Sequence, residues 1–128
     1  MAKRIGTLVV VGFVVLAATS CSDDEGADTI AVTADEFSYA PSEWTVGAGD
    51  FDVEFTNDGG TKHEFVILSE PIETEDEYTS DLALDEVEAE SGETITKTFT
   101  LDEPGTYQVF CAIGGHCNSG MSGTLTVE

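Results

Sequence analysis

The sequence predicts an all-β fold, a sandwich of about seven to eight short strands in a single domain. Three observations carry that expectation. Apolar and polar residues alternate with a period of two in several short runs, clusters of Gly, Asn, Asp and Pro separate those runs, and little of the chain shows helical periodicity. The 128-residue length leaves room for one domain. A domain of about 100 residues buries a workable core without disulfide staples.

Taken in order, Thr29 to Asp35 sets Ile30, Val32 and Ala34 on one face of a half-buried strand. Phe37 and Tyr39 follow, and Pro41 ends that run. Trp44 to Val46 is a short strand and Gly47 to Asp50 a turn. Phe51 to Thr56 alternates again, with Phe51, Val53 and Phe55 on one face, before the strong turn Asn57-Asp58-Gly59-Gly60. Beyond that turn come His63 and the apolar strand Phe65 to Leu68. Residues 69–92 scatter Leu82, Leu84 and Val87 among carboxylates, which reads as a loop with one short helix. Thr94 to Leu101 is a strand with Ile95, Phe99 and Leu101 facing the core, and Asp102 to Gly105 is a turn. Thr106 to Phe110 runs into Cys111, and Gly123 to Glu128 is the last strand. The pattern does not contain the order in which these strands pair.

The first twenty residues stand apart. Lys3 and Arg4 precede an apolar run from Ile5 to Ala18, which is shorter than the ~20 residues of a spanning helix and reads as a signal-peptide core. Leu16-Ala17-Ala18-Thr19-Ser20-Cys21 then resembles a bacterial lipobox, in which Cys21 becomes the lipidated first residue. The alternative is an ordinary cleaved signal peptide with Cys21 nearby by chance. The expected organisation is a signal peptide over 1–20, an acidic tether over 21–28 and a folded domain over 29–128. The address is extracytoplasmic, held to the cell membrane by the lipid on Cys21.

Charge narrows the partners. All 26 acidic residues follow position 21, where only Lys62 and Lys97 oppose them, so the processed chain carries −24. Nucleic acid and anionic lipid surfaces are repelled by such a field. Eleven of the acids fall between Glu70 and Glu93, either as a solvated surface that resists aggregation or as a docking face for a basic partner.

Chemistry concentrates in Tyr107 to Val127. Cys111, His116 and Met121 are spaced Cys-x4-His-x4-Met, with Gly114, Gly115 and Gly120 in the gaps. The chain's other histidine is His63, after the turn at Asn57. Each has an ordinary alternative: His63 at the surface, His116 in a loop, Met121 in the core, Cys111 in a disulfide with Cys117. As an ordered set they suit copper cycling between Cu(I) and Cu(II), because soft sulfur favours the reduced ion and imidazole serves both states.

This ordered set, with strands between its members, resembles the cupredoxins, the small blue copper proteins of the plastocyanin and azurin superfamily, on the side of their auracyanin- and sulfocyanin-like branches. Tyr107, Gly115, Gly120 and Gly123-Thr124-Leu125 match the family's last hairpin, and Phe37, Pro41, Val46, Gly49, Phe55, Asn57 and Gly59 fit its upstream pattern. The resemblance spans roughly residues 29 to 128. It implies a Greek-key sandwich and one copper per chain, with His63, Cys111 and His116 as equatorial ligands and Met121 as a weak axial one. Phe110, Ala112 and Ile113 would then exclude water, and His116 would be the exit for electrons. Glu64 stands where many members carry asparagine, so the usual tie from that side chain to the cysteine loop is not expected.

The function these readings imply is one-electron transfer by a monomer to a redox partner protein. An enzyme is not expected, since copper oxidases need further histidines and both of these are committed. The rival is an extracytoplasmic copper chaperone or buffer. Cys117 is left over, as a buried small hydrophobe, a second thiolate, or a disulfide partner for Cys111 when copper is absent.

Overall fold

The computed structural model describes residues 28–128, in which the period-two runs become two stacked, mixed β-sheets. The expected signal peptide, Cys21 and most of the expected tether lie outside the described residues. The strands are β1 Asp28–Asp35, β2 Ser38–Ala40, β3 Glu43–Val46, β4 Gly49–Asn57, β5 His63–Leu68, β6 Ala83–Ala89, β7 Thr94–Leu101, β8 Gly105–Phe110 and β9 Ser122–Val127. One sheet runs β2-β1-β4-β7 and the other β3-β9-β8-β5-β6. Most consecutive strands pass from one sheet to the other, in Greek-key fashion.

The described residues hold nine strands. The additional element is β6, in the segment expected to be a loop with a helix. That segment instead forms two short 3-10 turns, Glu75–Glu77 and Ser80–Leu82, and then the strand that pairs antiparallel with β5. Its signal is weak because three of its seven residues are acidic and only two are buried. Val87 and Ala89 are buried while Leu84, an expected anchor, is exposed.

The core is aromatic. Val32, Ala34, Phe51, Val53, Phe55 and Phe99 from the first sheet meet Trp44, Phe65, Ile67, Val109 and Leu125 from the second. Phe65 lies at the centre, with ring centroids 5.2 Å from Trp44, 5.9 Å from Tyr39 and 6.0 Å from Phe99. The first two pairs are edge-on and the third tilted, and edge-on pairs add to the stabilisation that comes from buried area alone.

From Phe65 to Leu68 strand β5 is apolar on both faces, and its outer face explains the acidic segment. Val66, Leu68, Ile72 and Phe110 form a second buried cluster, covered by Tyr78 and Leu82. Residues 70–82 therefore fold over the outside of this sheet, with most of their carboxylates turned to solvent.

Both lysines of the domain are used on β6, Lys62 with Glu88 at 2.9 Å and Lys97 with Asp85 at 2.6 Å. Most other carboxylates have no cation to meet. Glu64 even sits directly opposite Glu88 in the β5–β6 ladder, where like charges destabilise. The melting temperature is therefore expected to rise with salt, by roughly 4–8 °C for each ~1 kcal/mol of repulsion screened. Thermal unfolding from near-zero to molar salt checks this, and a flat profile would show the charges to be already well dispersed.

Candidate metal centre

The hairpin of β8 and β9 closes at Phe110 opposite Ser122, so Cys111 and Met121 face each other at the neck of the loop it carries. Their backbones are joined there, Cys111 N–H donating to the Met121 carbonyl at 3.3 Å. Between them the chain winds into helical turns. His116 N–H donates to Ile113 O at 3.0 Å, and Met121 N–H donates to His116 O at 3.0 Å. Gly115, with φ of +87°, supplies the left-handed residue just before His116, which a side chain would strain.

His63 reaches this loop through strand pairing. Val66 and Ile67 of β5 are registered with Phe110 and Val109 of β8, which brings the start of β5 beside Cys111. The Glu64 N–H donates to Cys111 Sγ at 3.4 Å. A backbone tie to the cysteine is thus present whatever side chain follows His63.

The approach to His63 is held by Asn57 and Glu36. Asn57 is fully buried: its Nδ2 donates to Thr61 O at 2.7 Å and Ala89 O at 2.9 Å, while Oδ1 accepts from Gly59 N–H at 2.8 Å. Glu36 Oε1 accepts from Gly60 N–H at 2.7 Å and Thr61 N–H at 3.1 Å, and lies 3.4 Å from His63 Nε2. That last contact is within ionic reach but off hydrogen-bond alignment. It passes over Gly59, where an added Cβ would fall 2.6 Å from Glu36 Oε1 and 2.7 Å from His63 Nε2. Only glycine fits there.

Three of the four expected donors form one cluster. The ligand atoms of His63, Cys111 and His116 all lie within 4.8 Å of one another, and Cys111 Sγ is 3.4 Å from His116 Nδ1. His63, Cys111 and Met121 are 0 % exposed and His116 is 7 % exposed, so of the four only His116 touches solvent. Neither ring nitrogen of His63 has a hydrogen-bond partner among the described residues. A buried imidazole left in that state is costly unless something else coordinates it. A thiol, two imidazoles and a buried thioether fit copper better than a hard cation.

Burial also tunes the groups. Desolvation, partly offset by the Glu64 and Ile113 N–H groups, pushes the Cys111 thiol up to about 11. A metal that binds there has to displace its proton. Desolvation and then the His63 ring lower the His116 imidazole, keeping its lone pair available for a metal.

One sequence expectation changes in detail. Side chains alternate along residues 109–113, so Ile113 packs on the core that holds Cys111 and Met121, but Phe110 and Ala112 belong to the outer cluster. In their stead Phe37 stacks edge-on against His116, ring centroids 4.9 Å apart, although it is 39 % exposed. Sequence reasoning also missed Glu36, Glu75 and the internal role of Asn57, because none carries a local signal of contact with a ligand loop. Cys117 is free and half-buried, against the outer cluster, as a small hydrophobe would be.

A two-sheet sandwich with a buried Cys, two His and a Met at one end defines a small soft-metal protein. The chain belongs to the cupredoxin-like domain family, whose profile matches residues 8–127. It is 36 % identical over 90 residues to the chloroplastic plastocyanin minor isoform of Arabidopsis thaliana, which covers 70 % of this chain and 50 % of that protein. The chain thus spans about half the length of that relative. Among solved structures it is similar to the dithionite-reduced auracyanin of Roseiflexus castenholzii (28 % identity, TM-score 0.67, 80 % of this chain and 99 % of that one). It is also similar to auracyanin A of Chloroflexus aurantiacus, a "blue" copper protein (26 % identity, TM-score 0.67, 80 % and 100 %).

Proposed function

We propose that this protein is a one-electron carrier with a single type 1 copper, held by His63, Cys111, His116 and Met121 and working outside the cytoplasmic membrane. The observation that carries this reading is the buried cluster of His63, Cys111 and His116, with its imidazole of unmet nitrogens. Copper supplies the change between Cu(I) and Cu(II). The protein's part is to hold the donors still. His63 is fixed by a strand and the Asn57 network, Cys111 and Met121 by the hairpin neck, and His116 by the turn between them. Donors fixed before metal arrives need little rearrangement when charge changes, which keeps the barrier to electron transfer low. His116, the one donor of the four that touches solvent and flanked by Phe37, is the natural exit toward a redox partner protein.

The anchor at Cys21 rests on the N-terminal sequence alone, and the extracytoplasmic address on that sequence together with the similarity to a chloroplastic plastocyanin. Residues 1–20 would be removed, 21–28 would link the lipid to the domain, and 29–128 would carry the copper.

Loading the recombinant protein with Cu(II) tests the centre. An intensely blue protein with narrow copper hyperfine splitting is expected. A colourless one with an ordinary tetragonal spectrum would sink the proposal. A carrier should also exchange electrons rapidly with a small redox partner and hold copper against mild chelators, whereas a chaperone would pass Cu(I) readily and exchange electrons slowly.

Cys117→Ala is expected to keep one copper per chain and the full colour, because its sulfur packs against the outer cluster. Its copper-free form should retain more free thiol in air, since Cys111 has lost its disulfide rival. Metal content, absorption and thiol titration check this. Loss of half the copper would make Cys117 a ligand.

A further inference from the structure

Glu75 lies in the first 3-10 turn of the acidic segment, forty residues before the ligand loop, yet its carboxylate reaches that loop. Oε2 accepts from Gly115 N–H at 3.0 Å and Oε1 from Cys117 N–H at 3.1 Å. The two amides flank His116 in the sequence. Glu75 N–H also points back to Asn118 Oδ1 at 3.4 Å. Inside the loop, the N–H groups of His116, Ser119, Gly120 and Met121 all meet loop carbonyls. Those of Gly115 and Cys117 meet Glu75 instead.

We infer that Glu75 is the positioning residue of the ligand loop, a carboxylate that clamps the turn carrying His116 and sets a fixed negative charge beside the copper. The inference rests on the copper reading for its redox consequence, but the clamp itself stands on geometry. Hydrogen bonds from amides to a charged acceptor are shorter and stronger than neutral ones. Here two of them converge on one side chain, anchored in a segment that is itself packed over the outer cluster through Tyr78 and Leu82. The half-buried Glu75 is thereby set apart from its exposed neighbours Asp76 and Glu77. The amides that hold this charge lie one residue either side of a ligand, so it favours the more positive, oxidised ion and lowers the reduction potential.

The experiment compares full-length wild type with Glu75→Gln, Glu75→Ala and Asp76→Asn. Asp76→Asn removes the same charge from the same turn without touching the loop. In the copper-free proteins, amide hydrogen exchange at Gly115 and Cys117 should quicken about tenfold or more in both Glu75 variants and stay unchanged in Asp76→Asn. In the copper-loaded proteins, the reduction potential should rise in Glu75→Gln by more than in Asp76→Asn. Glu75→Ala should hold copper about 10–100-fold less tightly. Should Glu75→Ala fail to fold, the near-isosteric Glu75→Gln decides. Unchanged exchange at both amides in Glu75→Gln would overturn the clamp, and equal potential shifts in Glu75→Gln and Asp76→Asn would overturn its electrostatic role. A wild type that binds no copper would defeat the copper reading alone, because the exchange comparison would still judge the clamp.

Discussion

Replacing Cys111 with serine is expected to abolish the intense visible absorption of the copper-loaded protein while leaving the sandwich folded. Cys111 is fully buried at the hairpin neck, and its sulfur receives the Glu64 N–H. Serine keeps the size class and an acceptor for that N–H, so the fold survives. What it cannot supply is a thiolate. Its hydroxyl does not give up a proton to a metal near neutral pH, and the soft donor that favours Cu(I) is gone. Absorption and electron paramagnetic spectra of the loaded variant check the chemistry, and circular dichroism checks the fold. A serine variant as blue as the wild type would place the metal elsewhere.

Asn57→Ala is expected to cost roughly 3–5 kcal/mol of stability, because it strands three hydrogen-bonding groups at once. The carbonyls of Thr61 and Ala89 lose their donor and the Gly59 N–H loses its acceptor. In a domain of this size the loss corresponds to a fall of roughly 15–30 °C in melting temperature. The effect should also reach the metal centre. Asn57 ties the end of β4, the approach to His63 and the end of β6 together, so the variant should hold copper less tightly than the wild type. Thermal unfolding with and without copper measures both. A loss below ~1 kcal/mol would show that water takes over the Asn57 contacts.

Strands with clean alternation are legible in the sequence. Phe51, Val53 and Phe55 are all buried in β4, and Phe99 and Leu101 in β7, as a period of two requires. Strand β6 is not legible, because only its last turn of alternation buries apolar residues. Val87 and Ala89 alone carry its burial, set among the acidic Asp85, Glu86 and Glu88.

The ligand types are equally legible. Cys111, His116 and Met121 lie in one loop whose spacing is local, and His63 follows a turn that the Asn57-Asp58-Gly59-Gly60 run announces. Residue chemistry and short spacing are properties of the chain before it folds. The pairing of β5 with β8, which delivers His63 to a cysteine far along the chain, exists only once the sheets have formed. The same holds for the choice, among so many carboxylates, of Glu36 and Glu75 as the two that grip the histidine-bearing loops. A carboxylate that accepts from backbone amides forty residues away looks, in sequence, like any solvated acid. Its partner is chosen by how the sheets stack and not by its neighbours in the chain.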